Sequence, residues 1–104
     1  MTKWHVDVSD PAKDDLRGIY QYIAHVLIEP VTARKQTGRI RANIRKLDQM
    51  PERFPLYDRE PWASRGMRRM DVDNYSVFYI PDGKTSIVTV IRIMYARRDV
   101  PSLL

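Results

Sequence analysis

Three arginines, Arg65, Arg68 and Arg69, lie before or at the start of the strand-like run MRRMDV, and three more, Arg92, Arg97 and Arg98, lie on or just beyond the run SIVTVIRIMY. A guanidinium presents paired donors in one plane, so such a group can grip a phosphate or carboxylate bidentately, or stabilise a pentavalent phosphate transition state. The two groups meet if the strands that carry them are neighbours. The competing reading is that they solvate the surface and that Arg98 and Asp99 form a local ion pair. Tyr95 suits a general acid or a stacking platform, and equally a rim residue of the core. His5 and His25 stand without a second histidine or a carboxylate at ligand spacing, which marks them as structural or surface residues. Asp71, Asp73 and Asp82 resemble a metal set only by composition, because turn positions favour aspartate anyway; no metal or cofactor is expected. There is no glycine-rich phosphate loop, nucleophile elbow or catalytic carboxylate pair.

These residues must be positioned by the elements around them. Trp4, Val6 and Val8 alternate with His5 and Asp7 as a strand with one buried face does. Asp10 as N-cap, Pro11 in the first turn, and Asp14 and Asp15 near the positive end of the dipole predict a helix. Its apolar stripe is Leu16, Ile19, Tyr20, Ile23 and Leu27, and the helix spans 11–28, stopped by Glu29-Pro30. A second helix over 31–50 carries Thr37, Ile40, Ile44 and Leu47 on one stripe and stops at Pro51. The short connection makes an antiparallel helical hairpin. Gly38 inside the second helix suggests a close approach to the first. Arg34, Lys35, Arg39, Arg41, Arg45 and Lys46 lie in a stretch, from Pro30 to Leu47, that holds no acidic residue. Residues 51–62 read as an ordered surface loop, because three prolines interrupt any period while aromatics anchor it. Three strands over 67–72, 75–80 and 86–95, separated by Asp73-Asn74 and Pro81-Asp82-Gly83-Lys84, predict an antiparallel meander whose last strand is central.

The expected fold is therefore α+β: a mostly antiparallel four-stranded sheet packed against a helical hairpin. A length of 104 residues suits a single domain, 1–104. No apolar stretch suits a membrane span and MTKWHVDVSD has no signal-peptide core, so a cytoplasmic protein is expected. Cysteine is absent, which removes disulfides and thiolate chemistry. A net charge of +5 favours a polyanionic partner, whether nucleic acid, acidic protein segment or anionic membrane face.

The order of elements, with VDVSDPAKDDLRGIYQYI, GMRRMDVDNYSVFY and VIRIMYARRDVPSLL, resembles the RelE/ParE superfamily of toxins from bacterial type II toxin–antitoxin systems. The resemblance covers essentially the whole chain. It implies a growth-arresting toxin neutralised by an acidic antitoxin that folds across it, with apolar anchors at Leu27 and carboxylates facing Arg34, Arg41 and Arg45. RelE-like members cut messenger RNA on the ribosome; ParE-like members block DNA gyrase. In the RelE pattern an arginine follows the tyrosine of the central strand, and here Ser76 stands in that place. The ending YARRD with its short apolar tail is closer to ParE. The expectation is a gyrase inhibitor without catalysis of its own, meeting its target through Arg68, Arg69, Arg97, Arg98, Asp99, Leu103 and Leu104. The RelE-like alternative uses Arg69, Arg92 and Tyr95, and a second alternative is a non-toxic nucleic-acid-binding module. An opposing view of the tail has Leu103 and Leu104 folding back on the hairpin as part of the core.

Overall fold

The computed structural model describes residues 3–96 and 104. Four strands, β1 (His5–Val8), β2 (Arg68–Val72), β3 (Tyr75–Asp82) and β4 (Ile87–Tyr95), form one sheet in the order β1-β4-β3-β2. β1 runs parallel to β4 and the other pairs are antiparallel, so β4 is central as its two-faced apolar pattern requires. The helices α1 (Asp10–Gln21) and α2 (Pro30–Arg45) cover one face. Ala12 and Leu16 of α1, and Ile40 and Ile44 of α2 with Leu47 beyond it, pack there on Met70, Val72, Val77, Tyr79, Val88, Val90 and Ile93. The opposite face carries a smaller cluster of Tyr57, Met67, Phe78 and Met94, joined by Trp62, Ile80 and Leu104.

The helix starts differ from expectation by one residue. Ser9, not Asp10, is the N-cap of α1: its backbone is extended and its Oγ accepts from the Ala12 N–H at 3.2 Å. The same hydroxyl donates to the Ile91 carbonyl at 2.9 Å, tying the helix start to β4. Asp14 stays on the surface with Arg17.

The predicted stripe of the first helix also breaks. After Gln21 the chain makes a π-helical turn, Tyr22–Val26, closed by Leu27 N–H to the Tyr22 carbonyl at 3.0 Å. The extra residue in that turn rotates the next side chains out of the three-and-four spacing. Ile23 and Ala24 therefore face Ala33, while Leu27 is 48% exposed. Ile28 ends the turn in the left-handed region, at φ 57°, with the Glu29 N–H reaching back to the Ile23 carbonyl. The second helix leaves α-geometry at Arg45 and finishes as a 3-10 turn, Lys46–Asp48.

Gly38 corrects the expected close approach. A Cβ there would meet nothing within 4 Å, so no neighbour demands a glycine. Residues 51–62 do attach to the sheet: Leu56 bridges Arg68, and Tyr57 N–H donates to the Met67 carbonyl at 2.9 Å. The fully buried Tyr79 pins this connection by donating its hydroxyl to the Pro51 carbonyl at 2.6 Å. Burial pushes its pKa up to about 12, so the donor keeps its proton.

Candidate functional site

Side chains alternate along a strand, so β2 divides its arginines between the two faces. Arg68 shares the helix face with its partner Tyr79 and donates to the Phe54 carbonyl at 2.6 Å. Arg69 lies on the other face, where its guanidinium stands 5.9 Å over the Phe78 ring. β2 and β4 are not neighbours, because β3 lies between them. That overturns the condition under which the two arginine groups would meet.

Each described arginine of those groups is engaged nearby. Arg65 stacks on Trp62 at 5.4 Å. Arg69 Nε donates to Asp71 Oδ1 at 2.9 Å, and the fully buried Ser76 donates its hydroxyl to the same oxygen at 2.8 Å. Burial raises the Asp71 pKa, but the hydrogen bonds from Arg69 and Ser76 outweigh it and hold the carboxyl below its usual range. Arg92 sits at a bulge, where the register slips so that Phe78 faces Arg92 and Tyr79 faces Val90. Its Nε and Nη2 donate to the Asp15 carboxylate at 2.8 and 3.0 Å. These bonds hold the guanidinium more strongly protonated than usual, against the opposing effect of its burial.

Tyr95 lies on the helix side of the sheet. It pairs with Tyr75, which packs on the main core, and the rings meet edge to face at 5.7 Å. Arg69 and Tyr95 are therefore on opposite faces. Burial raises the Tyr75 pKa, with Tyr95 and then Tyr22 adding to it.

Arg97, Arg98, Asp99 and Leu103 lie outside the described residues. Leu104 is seated on the open-face cluster, not on the helical hairpin. Asp71 is a strand residue, which corrects its assignment to a turn; Asp73 and Asp82 do serve turns, the latter accepting from the Lys84 N–H at 2.9 Å. His5 has a carboxylate partner after all, Asp7 at 2.8 Å on the exposed side of β1.

The hairpin offers a different surface. Between Gly18 and Ala33 the only formally charged residue is Glu29, and Tyr22, Val26, Leu27, Ile28 and Val31 are all about half exposed or more. Directly beyond them, Arg34, Lys35, Arg41, Arg45 and Lys46 have exposed side chains that meet no carboxylate among the described residues. Arg39 departs from the expected unopposed set, since its Nε donates to Asp73 at 2.8 Å. Sequence reading missed Asp15, Asp71 and Tyr22. Only Asp71 had a local signal, its two-residue spacing from Arg69 on one strand face.

The family model for the ParE toxin of the type II toxin–antitoxin system parDE matches residues 6–100. Among curated proteins none matches. The chain is similar to a structure of the chromosomal ParDE system of P. aeruginosa, with a TM-score of 0.75 at 22% identity, over 93% of this chain and 100% of that one. It is also similar to the Mycobacterium tuberculosis RelBE2 toxin–antitoxin complex, with a TM-score of 0.64 at 18% identity over 91% and 93% of the two chains. A mutant of the E. coli toxin RelE in the free state gives a TM-score of 0.65 at 13% identity over 98% and 99%. At these identities the solved structures establish the shared α+β fold. With the family model matching almost its whole length, the chain belongs to the ParE toxin family of type II toxin–antitoxin systems.

Proposed function

We propose that this toxin arrests growth by inhibiting DNA gyrase, without catalysis of its own, and that an acidic antitoxin neutralises it. The observation that carries the choice of target is the dispersal of Arg69, Arg92 and Tyr95. Phosphoryl transfer needs charge and a proton donor within hydrogen-bond reach of one phosphate. Here Arg69 is bonded to Asp71, Arg92 is bonded to Asp15, and Tyr95 stands on the opposite face from Arg69. The ParE family match points the same way.

Antitoxin binding is supported by the hairpin. Leu27 and its exposed apolar neighbours suit the anchors of a segment that orders on binding, and Arg34, Arg41 and Arg45 suit its carboxylates. The gyrase contacts are assigned to the open face and tail, including Arg69, Arg97, Arg98, Asp99 and Leu104. Arg68 belongs there only through its strand, because its side chain is turned to the helix face.

Purified toxin added to a gyrase supercoiling assay should block supercoiling, and messages on translating ribosomes should stay intact. Cut messages with untouched supercoiling would replace this reading with the RelE-like one. If neither activity appears and expression leaves growth unaffected, the non-toxic binding module is the surviving alternative.

A further inference from the structure

We propose that Asp71 sets the selectivity of the open face of the sheet: with Ser76 it holds Arg69 in a neutral pair, so that the face disfavours a nucleic-acid backbone. The inference rests on the protein-target reading above and adds the residue that enforces it.

The argument begins with Ser76. Its hydroxyl is fully buried and must find an acceptor inside the protein, and Asp71 Oδ1 at 2.8 Å supplies it. That bond fixes the carboxylate over the strand. Arg69, two residues away on the same face, then donates Nε to the same oxygen at 2.9 Å. A phosphate that approaches Arg69 consequently meets a like charge fixed against the guanidinium. Affinity for a nucleic-acid backbone comes largely from counterions released when cations meet phosphates. An arginine already matched by a fixed carboxylate adds little to that release. Among the described residues the neighbouring cations are engaged as well: Arg65 is stacked on Trp62, and Arg92, across Phe78 from Arg69, is bonded to Asp15.

The test uses the full chain and a fluorescein-labelled oligouridine, with binding followed by anisotropy across a range of salt. Asp71→Asn keeps an acceptor for Ser76 and removes the charge that occupies Arg69. The variant should bind the oligonucleotide about two- to fivefold more tightly at low salt, the range an exposed ion pair supports, and its log–log salt slope should steepen by about 0.7. Asp14→Asn makes the same change in net charge at the exposed pair with Arg17, and should steepen the slope distinctly less. Arg69→Gln added to Asp71→Asn should abolish the gain. Equal binding by Asp71→Asn and wild type would overturn the proposal, as would an equal gain in Asp14→Asn or a gain that survives loss of Arg69. Asp71→Thr, suited to a strand, makes the same charge change if the amide disturbs folding. Supercoiling is measured in parallel on wild type. A toxin that spares gyrase while Asp71→Asn gains RNA affinity would sink the gyrase reading alone, whereas unchanged RNA affinity sinks the Asp71 proposal whatever gyrase does.

Discussion

Asp15 on α1 holds Arg92 on β4 through two hydrogen bonds, at 2.8 and 3.0 Å, and the same carboxylate accepts the Ile93 N–H at 2.9 Å. The pairing lies just past the end of β1, where β4 loses its neighbour and its backbone needs another acceptor. One aspartate thus closes both the bulge and the sheet edge. Asp15→Ala should lower stability by about 2 kcal/mol, since it strips charged hydrogen bonds from a group that is largely shielded from solvent. Asp15→Asn should recover part of the loss, because an amide oxygen still serves Ile93. Urea unfolding of the three proteins measures this, and a loss below about 0.5 kcal/mol for Asp15→Ala would show the contact to be incidental.

This link also marks where sequence reading stops. The alternation in WHVDV, the apolar run of β4 and the stripe Thr37, Ile40, Ile44 and Leu47 each follow from periodicity, so the α+β order and the central strand were legible. Asp15 could be read only as a favourable first-turn charge, because nothing in the chain records that the bulge near Arg92 would face it. The same holds for the arginines. Composition gathers them, but the intervening strand β3 and the alternation at Arg68 and Arg69 disperse them. The π-helical turn was hidden for a different reason: the apolar residues in YIAHVLI fit an α-helical stripe almost as well, and the choice is made by packing of Ile23 and Ala24 on Ala33.

Gly38 is interior to α2, and a methyl group there would touch nothing within 4 Å. Gly38→Ala should therefore stabilise the protein by about 0.5–1 kcal/mol through reduced freedom of the unfolded chain. Chemical denaturation should show the midpoint rise with the slope unchanged. A decrease would mean that the helix meets a neighbour at this position.

Ile28 combines a left-handed backbone, φ 57°, with 79% exposure of an apolar branched side chain. The backbone position is one that glycine fills without strain. Ile28→Gly should leave stability unchanged or raise it by up to about 1 kcal/mol. If the hairpin tip anchors the antitoxin, the same change should weaken that binding by about 1–2 kcal/mol, a loss typical of a buried aliphatic anchor. Calorimetry with a cognate antitoxin, beside a thermal melt, measures both. Opposite signs are the expected outcome; unchanged affinity would remove the tip from the interface.

Asp73 accepts from Arg39 Nε at 2.8 Å and from Gln36 Nε2 at 3.0 Å, joining the turn between β2 and β3 to α2. The bond from Arg39, then that from Gln36, holds its pKa below the ordinary value of 3.8. A carboxyl whose pKa is depressed by folding stabilises above its unfolded pKa and loses that contribution as pH falls through the folded one. Wild type should exceed Asp73→Asn in stability at neutral pH, and the gap should close only below 3.8. Asparagine tolerates the left-handed turn, so the comparison reports the charge. Urea midpoints across acidic pH decide; a gap that does not narrow in acid would assign the effect to turn geometry.

Ser76→Arg places an arginine where the RelE pattern has one, at a position with no exposed surface between Asp71 and the Phe78–Met94 cluster. Insertion of so long a side chain should cost about 1–3 kcal/mol of stability through overpacking. Its guanidinium would also find Asp71 close by, in competition with Arg69, so the charge would be largely matched within the protein. Arg92 would remain on Asp15 and Tyr95 on the other side of the sheet. The variant should therefore melt at a lower temperature and still leave ribosome-bound messages uncut. Cleavage by Ser76→Arg that wild type lacks would show that the phosphate-binding groups converge after all, and would overturn the reading of this sheet as one without catalysis of its own.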